Sequence, residues 1–223
     1  MTQHSAPGEH APAGPSLRDL PGQRPVAART VLHEGMVWDL VRDTVDFAEG
    51  VRFDREYVWH TGAVAVLAVD DADRVLMIRQ YRHPVGHSLW EIPAGLLDLD
   101  GEAPHLAAAR ELAEETGYVP ERMQTLLDLR PSPGGLDEVI RVYLASGVRA
   151  SDEEFERTDE EAELVPHWVP LADAVTAVLE GRITNGTTVS ALLALQAVRS
   201  GGAPAQERLR AADAPFMARP GRD

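Results

Sequence analysis

The stretch Gly95-Leu-Leu-Asp-Leu-Asp-Gly-Glu102-Ala-Pro-His-Leu-Ala-Ala-Ala-Arg110-Glu111-Leu-Ala-Glu114-Glu115-Thr-Gly117-Tyr118 decides how the rest of the chain is read. It predicts a glycine-bounded helix. Pro104 suits the first turn, where its missing N–H is not needed, and Gly117 suits a left-handed C-terminal cap. At 3.6 residues per turn Glu111, Glu114 and Glu115 fall within a sector of about 100°, with Leu106, Ala109 and Ala113 on the other side. Carboxylates held this close repel one another, so a positive partner is expected over the patch. A hard divalent cation fits, because Mg²⁺ prefers carboxylate oxygens and keeps waters and substrate phosphates as its other ligands. The plainer alternative is a surface helix with solvated acids and an Arg110–Glu114 pair one turn apart. Solvated charge runs, however, seldom satisfy a whole spaced pattern.

The 223 residues, 44% hydrophobic, suffice for one full core with a small appended element. A net charge of −15 argues against binding the nucleic-acid backbone. With no cysteine, thiolate chemistry and disulfides are excluded. No long apolar run and no apolar leader appear, so the expectation is a cytoplasmic protein with neither membrane nor nucleic-acid partners. Every basic residue is arginine, whose planar fork suits phosphate oxygens.

Residues 1–27, with five prolines and three glycines, read as a disordered tail. Residues 28–60 read as an N-terminal strand element, with strands over Met36–Phe47 and Phe53–His60. Residues 61–200 form the main domain, and 201–223 a flexible tail with Leu209, Phe216 and Met217 as candidate anchors. Ala63–Val69 and Val75–Ile78 flank Asp70-Asp71-Ala72-Asp73 and predict a hairpin. Strands are expected over Met123–Leu129, Val139–Leu144 and Val165–Val169. A helix is predicted over Leu171–Glu180 with Val175, Val178 and Leu179 on one side, and a last one over Thr188–Val198 presents Leu192, Leu193 and Leu195. Strands interleaved with helices imply an α/β sandwich.

The acidic stretch resembles the Nudix box, Gly-x5-Glu-x7-Arg-Glu-U-x-Glu-Glu-x-Gly-U, where U is bulky and apolar. Glu102, Arg110, Glu111, Leu112, Glu114, Glu115 and Gly117 agree in spacing, with Tyr118 at the last position. Gly95 lies seven positions before Glu102 rather than six, so the loop carries one extra residue. Arg79-Gln80-Tyr81-Arg82, Trp90-Glu91-Ile92-Pro93-Ala94-Gly95 and Ser132-Pro133-Gly134-Gly135 are similar to segments of the ADP-ribose pyrophosphatase branch of that superfamily. Pro133 stands sixteen positions after Gly117, as it does in that branch. The resemblance spans roughly residues 30–198.

The resemblance implies an α-β-α sandwich with a mixed sheet (α+β), plus an N-terminal antiparallel element that dimerises. It implies Glu111 and Glu115 as main metal ligands, Glu114 and the Ala94 carbonyl as further ones, and Arg110 as the residue that orients them. Arg55 and Arg82 would contact substrate, one of them from the partner of a homodimer. Glu91 and Glu138 would lie near ribose and phosphates, with Pro133 in a substrate loop. The general base falls in the acidic segment Ser151–Glu163, where alignment favours Glu160, with Glu161 or Glu163 as substitutes. The implied reaction is Mg²⁺-dependent hydrolysis of ADP-ribose to AMP and ribose 5-phosphate, with Mn²⁺ able to replace Mg²⁺. A nucleotide-sugar substrate such as ADP-glucose or GDP-mannose is one rival. The other is a non-catalytic regulatory Nudix domain that only binds nucleotide metabolites, which the intact acidic box disfavours. His83 and His87 are not read as zinc ligands, because Pro84 between them breaks a helix. Trp38 and Trp59 are candidates to stack on a base, set against a plain role in core or interface.

Overall fold

The computed structural model describes residues 17–153, 155 and 164–216. Val26–His33 (β1), Asp39–Ala48 (β2) and Val51–Trp59 (β3) make an antiparallel sheet in the order β1-β2-β3. The next strands are Ala63–Ala68 (β4), Arg74–Arg82 (β5), His87–Glu91 (β6) and Ala94–Leu96 (β7), followed by the helix Pro104–Thr116 (α1). Then come Tyr118–Val119 (β8), Arg122–Leu129 (β9), Ile140–Ser146 (β10), Arg149–Ala150 (β11) and His167–Pro170 (β12). Leu171–Leu179 (α2), Gly186–Gln206 (α3) and Arg210–Ala211 (β13) complete the described chain.

The central sheet is mixed and runs β13-β9-β10-β4-β7, with β4 parallel to β10 and antiparallel to β7. All six side chains of β4 are buried, which is why the strand reads as an unbroken apolar run instead of alternating. Ala63, Ala65 and Leu67 face one apolar cluster with Leu171, Ala174, Leu192 and Leu195 from α2 and α3. Val64, Val66 and Ala68 face the other, with Ala107, Ala108 and Leu112 from α1. Two helical layers therefore sandwich the sheet, and burying a leucine such as Leu112 contributes about 1.5–3 kcal/mol. The expected α-β-α sandwich is present.

Several local expectations change. The stretch 63–78 is no hairpin: β4 lies in the central sheet, while β5 pairs with β6 and β12 in a separate sheet, and only Val69 and Val75 bridge the two. Adjacent apolar strands joined by a short turn diverge here because β10 and β7 already occupy both edges of β4. On α1 the buried residues are Ala107, Ala108, Leu112, Ala113, Glu115 and Thr116, and Leu106 is exposed. One of the three acids therefore belongs to the buried side. On α2 the buried residues are Leu171, Ala174 and Ala177, with Leu179 exposed; on α3 Leu192 and Leu195 are buried and Leu193 is half-exposed. Strand β1 had no alternating pattern to announce it, since every one of its residues is exposed.

Residues 207–216 follow α3 and include β13. Strand β13 covers the outer edge of β9, an edge that would otherwise present unpaired backbone groups. Leu209 packs on the core and Phe216 lies 4.4 Å from the Arg141 guanidinium, so both candidate anchors engage; Met217 lies outside the described residues. No helix among the described residues is long and apolar enough to cross a membrane.

Candidate active site

Helix α1 starts at Pro104 and ends at Gly117, whose φ of +75° places it in the left-handed region that favours glycine. It lies across β7, and the contact between the two builds the site. A Cβ on Gly95 would stand 2.0 Å from the Glu111 carboxyl carbon, so only glycine admits that carboxylate against the strand. One turn on, Glu115 is 4% exposed and accepts a hydrogen bond from the Ala94 N–H at 3.0 Å. The box thus needs its glycine for a close approach and not for backbone freedom.

Arg110 joins the acids. Its Nε and Nη2 donate to the two oxygens of Glu102 at 3.1 and 3.0 Å, and Nη1 donates to Glu111 at 2.8 Å and Glu114 at 3.0 Å. These bonds, that to Glu102 foremost, hold the guanidinium far above its ordinary value despite partial burial, and they hold Glu102 below the usual carboxylate range. One cation faces three carboxylates, and Glu115 adds a fourth. Among the described residues no three acidic or histidine side chains converge as a preformed metal cage, and Arg110 holds Glu102, Glu111 and Glu114. The donor set of carboxylate oxygens nevertheless suits a hard divalent cation, and the face carries surplus negative charge to receive one.

Beside this face opens a cleft of about 590 Å³ whose lining includes Ala94, Gly95, Arg82, Glu91, His60, Glu138 and Trp38. Arg82 grips the buried Glu91 with both prongs of its fork, at 3.0 and 2.7 Å. Glu138 stands across from them with His60, 3.7 Å from its Nε2, and burial followed by the charge of Asp137 pushes the Glu138 carboxyl up. Of the residues expected at a site, Ala94, Arg82, Glu91 and Glu138 line this cleft. Glu111 and Glu115 reach its wall from behind, at Gly95 and the Ala94 N–H, and Arg110 holds Glu111 and Glu114.

Arg55 and Pro133 do not join them. They line a second cleft of about 500 Å³ with Tyr57, Arg130, Gly134, Leu136 and Asp137. The chain parts the two clefts at consecutive residues, Asp137 lining one and Glu138 the other. Glu160, Glu161 and Glu163 lie outside the described residues. Trp38 lines the first cleft, whereas Trp59 packs under the Arg29 guanidinium at 5.0 Å. His60 was missed from sequence: it precedes the first core strand with no motif around it, and only the fold sets it in one cleft with Glu91.

A family model described as the NUDIX domain matches residues 59–191. The chain is 47% identical over 170 residues to the ADP-ribose pyrophosphatase of Mycobacterium tuberculosis (strain ATCC 25618 / H37Rv), covering 76% of this chain and 82% of that one. It is 37% identical over 169 residues to the ADP-ribose pyrophosphatase of Bacillus subtilis (strain 168), covering 76% and 90%. Among solved structures, one described as an ADP compounds hydrolase superposes with a TM-score of 0.67 over 82% of this chain and 98% of its own, at 23% identity, a likeness of fold. With the box acids gathered on β7 and the family match spanning the core, this chain belongs to the Nudix hydrolases.

Proposed function

We propose that the protein hydrolyses the pyrophosphate bond of ADP-ribose to AMP and ribose 5-phosphate with a divalent cation, Mg²⁺ first. The observation that carries the reading is the surplus of carboxylates on α1, with Glu111 packed on Gly95 and Glu115 bonded to the Ala94 N–H, beside a cleft that Ala94 and Gly95 line together with the Arg82–Glu91 pair. The 47% identical relative named ADP-ribose pyrophosphatase supports the choice of sugar. Nudix hydrolases generally use divalent cations.

In this reading Glu111 and Glu115 would hold the cation with the Ala94 carbonyl, and Glu114 would be a further ligand. Bound there, such a cation would offset the charge of the pyrophosphate and of the departing phosphate. Arg110 keeps the carboxylates spread and oriented. Arg82, its fork fixed by Glu91, presents the positive charge of its guanidinium edge to a phosphate, and the Glu91 and Glu138 carboxylates accept from sugar hydroxyls. Glu160 takes a proton from the attacking water; that role rests on the family resemblance. A positioned base contributes about 10²–10⁴ in rate.

A homodimer belongs to the same proposal. The β1-β2-β3 sheet exposes Val26, Val31, Leu32, Phe47 and Val51, and Arg55 on β3 sits away from the Arg82 cleft of its own chain. Both features suit a sheet that completes a neighbour's site. Light scattering that gives a monomer with full activity at micromolar concentration would remove the dimer from the account.

The test is product analysis. The protein is incubated with ADP-ribose, ADP-glucose or GDP-mannose and Mg²⁺, and the products are resolved by chromatography. AMP released from ADP-ribose in preference to the others supports the reading. Preference for another sugar keeps the chemistry and changes the substrate, and tight binding without turnover would leave the regulatory reading in its place.

A further inference from the structure

His60 is wired into the wall of the cleft more firmly than a packing histidine needs. Its backbone N–H donates to Asp137 Oδ1 at 2.7 Å, and the Gly62 N–H donates to its ring Nδ1 at 2.9 Å. Since Nδ1 accepts, the proton of the neutral ring is on Nε2. That nitrogen faces Glu138 Oε1 at 3.7 Å, with the two side chains only 12% and 17% exposed. The turn that presents the ring is fixed as well. Gly62 has a φ of +82°, its carbonyl accepts from the Leu97 N–H at 3.0 Å, and the Ala63 N–H donates to the Val139 carbonyl at 3.1 Å. The ring is therefore tied both to the strand that carries Gly95 and to the segment that carries Glu138.

The cleft has two acceptor carboxylates, and they are held differently. Glu91 is gripped by an arginine fork, whereas Glu138 makes its ion-pair contact with His60. Burial and Asp137 both push the Glu138 carboxyl up, and the His60 Nε2 is the nitrogen that faces it. Arg82 and Glu91 line the cleft opposite, and Asp137 stands beside it.

We propose that His60 is a positioning residue, whose Nε2–H holds the Glu138 carboxylate toward the cleft as the acceptor for hydroxyl groups of the substrate's sugar; this rests on the nucleoside diphosphate sugar reading above. The 3.7 Å contact is longer than a hydrogen bond and closes when substrate displaces water.

Two substitutions separate this role from packing. His60→Asn keeps an acceptor near the Nδ1 position for the Gly62 N–H and removes the Nε2–H, while His60→Gln keeps a donor near the Nε2 position. The expected result for His60→Asn is a KM for ADP-ribose raised about tenfold with kcat within about twofold, and His60→Gln recovers most of the loss. In a Glu138→Gln background His60→Asn adds less than about twofold. A KM rise that persists at full size in that background, or a loss confined to kcat, overturns the proposal. Should another nucleoside diphosphate sugar be the substrate, the same comparison on that sugar decides. A readout without turnover also decides: in calorimetry without a divalent cation, ribose 5-phosphate binds the parent and His60→Gln more tightly than His60→Asn, and equal affinity overturns the assignment even if no sugar is hydrolysed.

Discussion

Arg110 and Arg141 both pair with acid, in opposite surroundings. Arg141 on β10 is 1% exposed and pairs through Nε and Nη2 with Asp128 at 2.7 and 3.0 Å; its remaining reach goes to the Ala214 and Pro215 carbonyls and the Phe216 ring. Arg210 adds a second cation to Asp128 at 2.8 Å. The Arg110 side chain is 28% exposed, faces Glu102, Glu111 and Glu114 together, and leaves the negative charge in surplus beside an open cleft. The first cluster is closed and supplied with enough positive charge, which is what a chain needs to bury ions without loss. The second is open and short of cations, an arrangement that costs stability unless a further cation is recruited.

The comparison breaks most sharply at Glu115. Glu115→Gln keeps the shape and removes a charge, so kcat on ADP-ribose should fall by about 10³ or more while the unfolding midpoint holds or rises. A variant with parent turnover would leave the open cluster with no chemical role. Gly95→Ala comes next: the new methyl must displace the Glu111 carboxyl, and a misplacement of about 1 Å costs on the order of 10²-fold in kcat/KM. Steady-state kinetics beside circular dichroism will show whether activity falls without the fold.

The reciprocal change is Arg141→Met. It strands a buried Asp128, for which the usual cost is about 3–5 kcal/mol; Arg210 remains, so about 2–3 kcal/mol is expected, a drop in Tm of about 5–10 °C. Turnover of the folded fraction should stay within about twofold. The smallest effect concerns pH. Burial raises the Asp128 carboxyl, but the hydrogen bonds from Arg141 and Arg210 overcome it and hold the group below its ordinary value. A lowered folded pKa stabilises above the unfolded value of about 3.9 and is lost as pH falls through the folded one. Urea midpoints should therefore decline below about pH 4 in the parent and less steeply in Asp128→Asn.

The open cluster was legible in the sequence because helix spacing alone aligns Glu111, Glu114 and Glu115, and β4 was legible because a strand covered on both faces has to be apolar throughout. The closed cluster was not. Asp128 and Arg141 are thirteen residues apart on neighbouring strands, and their pairing depends on a register that no local pattern states. His60 and Glu138, set together by a turn at Gly62 and a parallel strand pairing, were hidden for the same reason. The hairpin expected over 63–78 failed because period and turn residues report that strands exist, not which neighbours they choose.

Binding of Mn²⁺ followed by electron paramagnetic resonance, measured side by side on the parent, Glu115→Gln and Arg141→Met, tests most directly that the unbalanced cluster is the cation site. Saturable binding is expected in the parent and in Arg141→Met, weakened at least about tenfold in Glu115→Gln. Equal binding in the parent and in Glu115→Gln would contradict it.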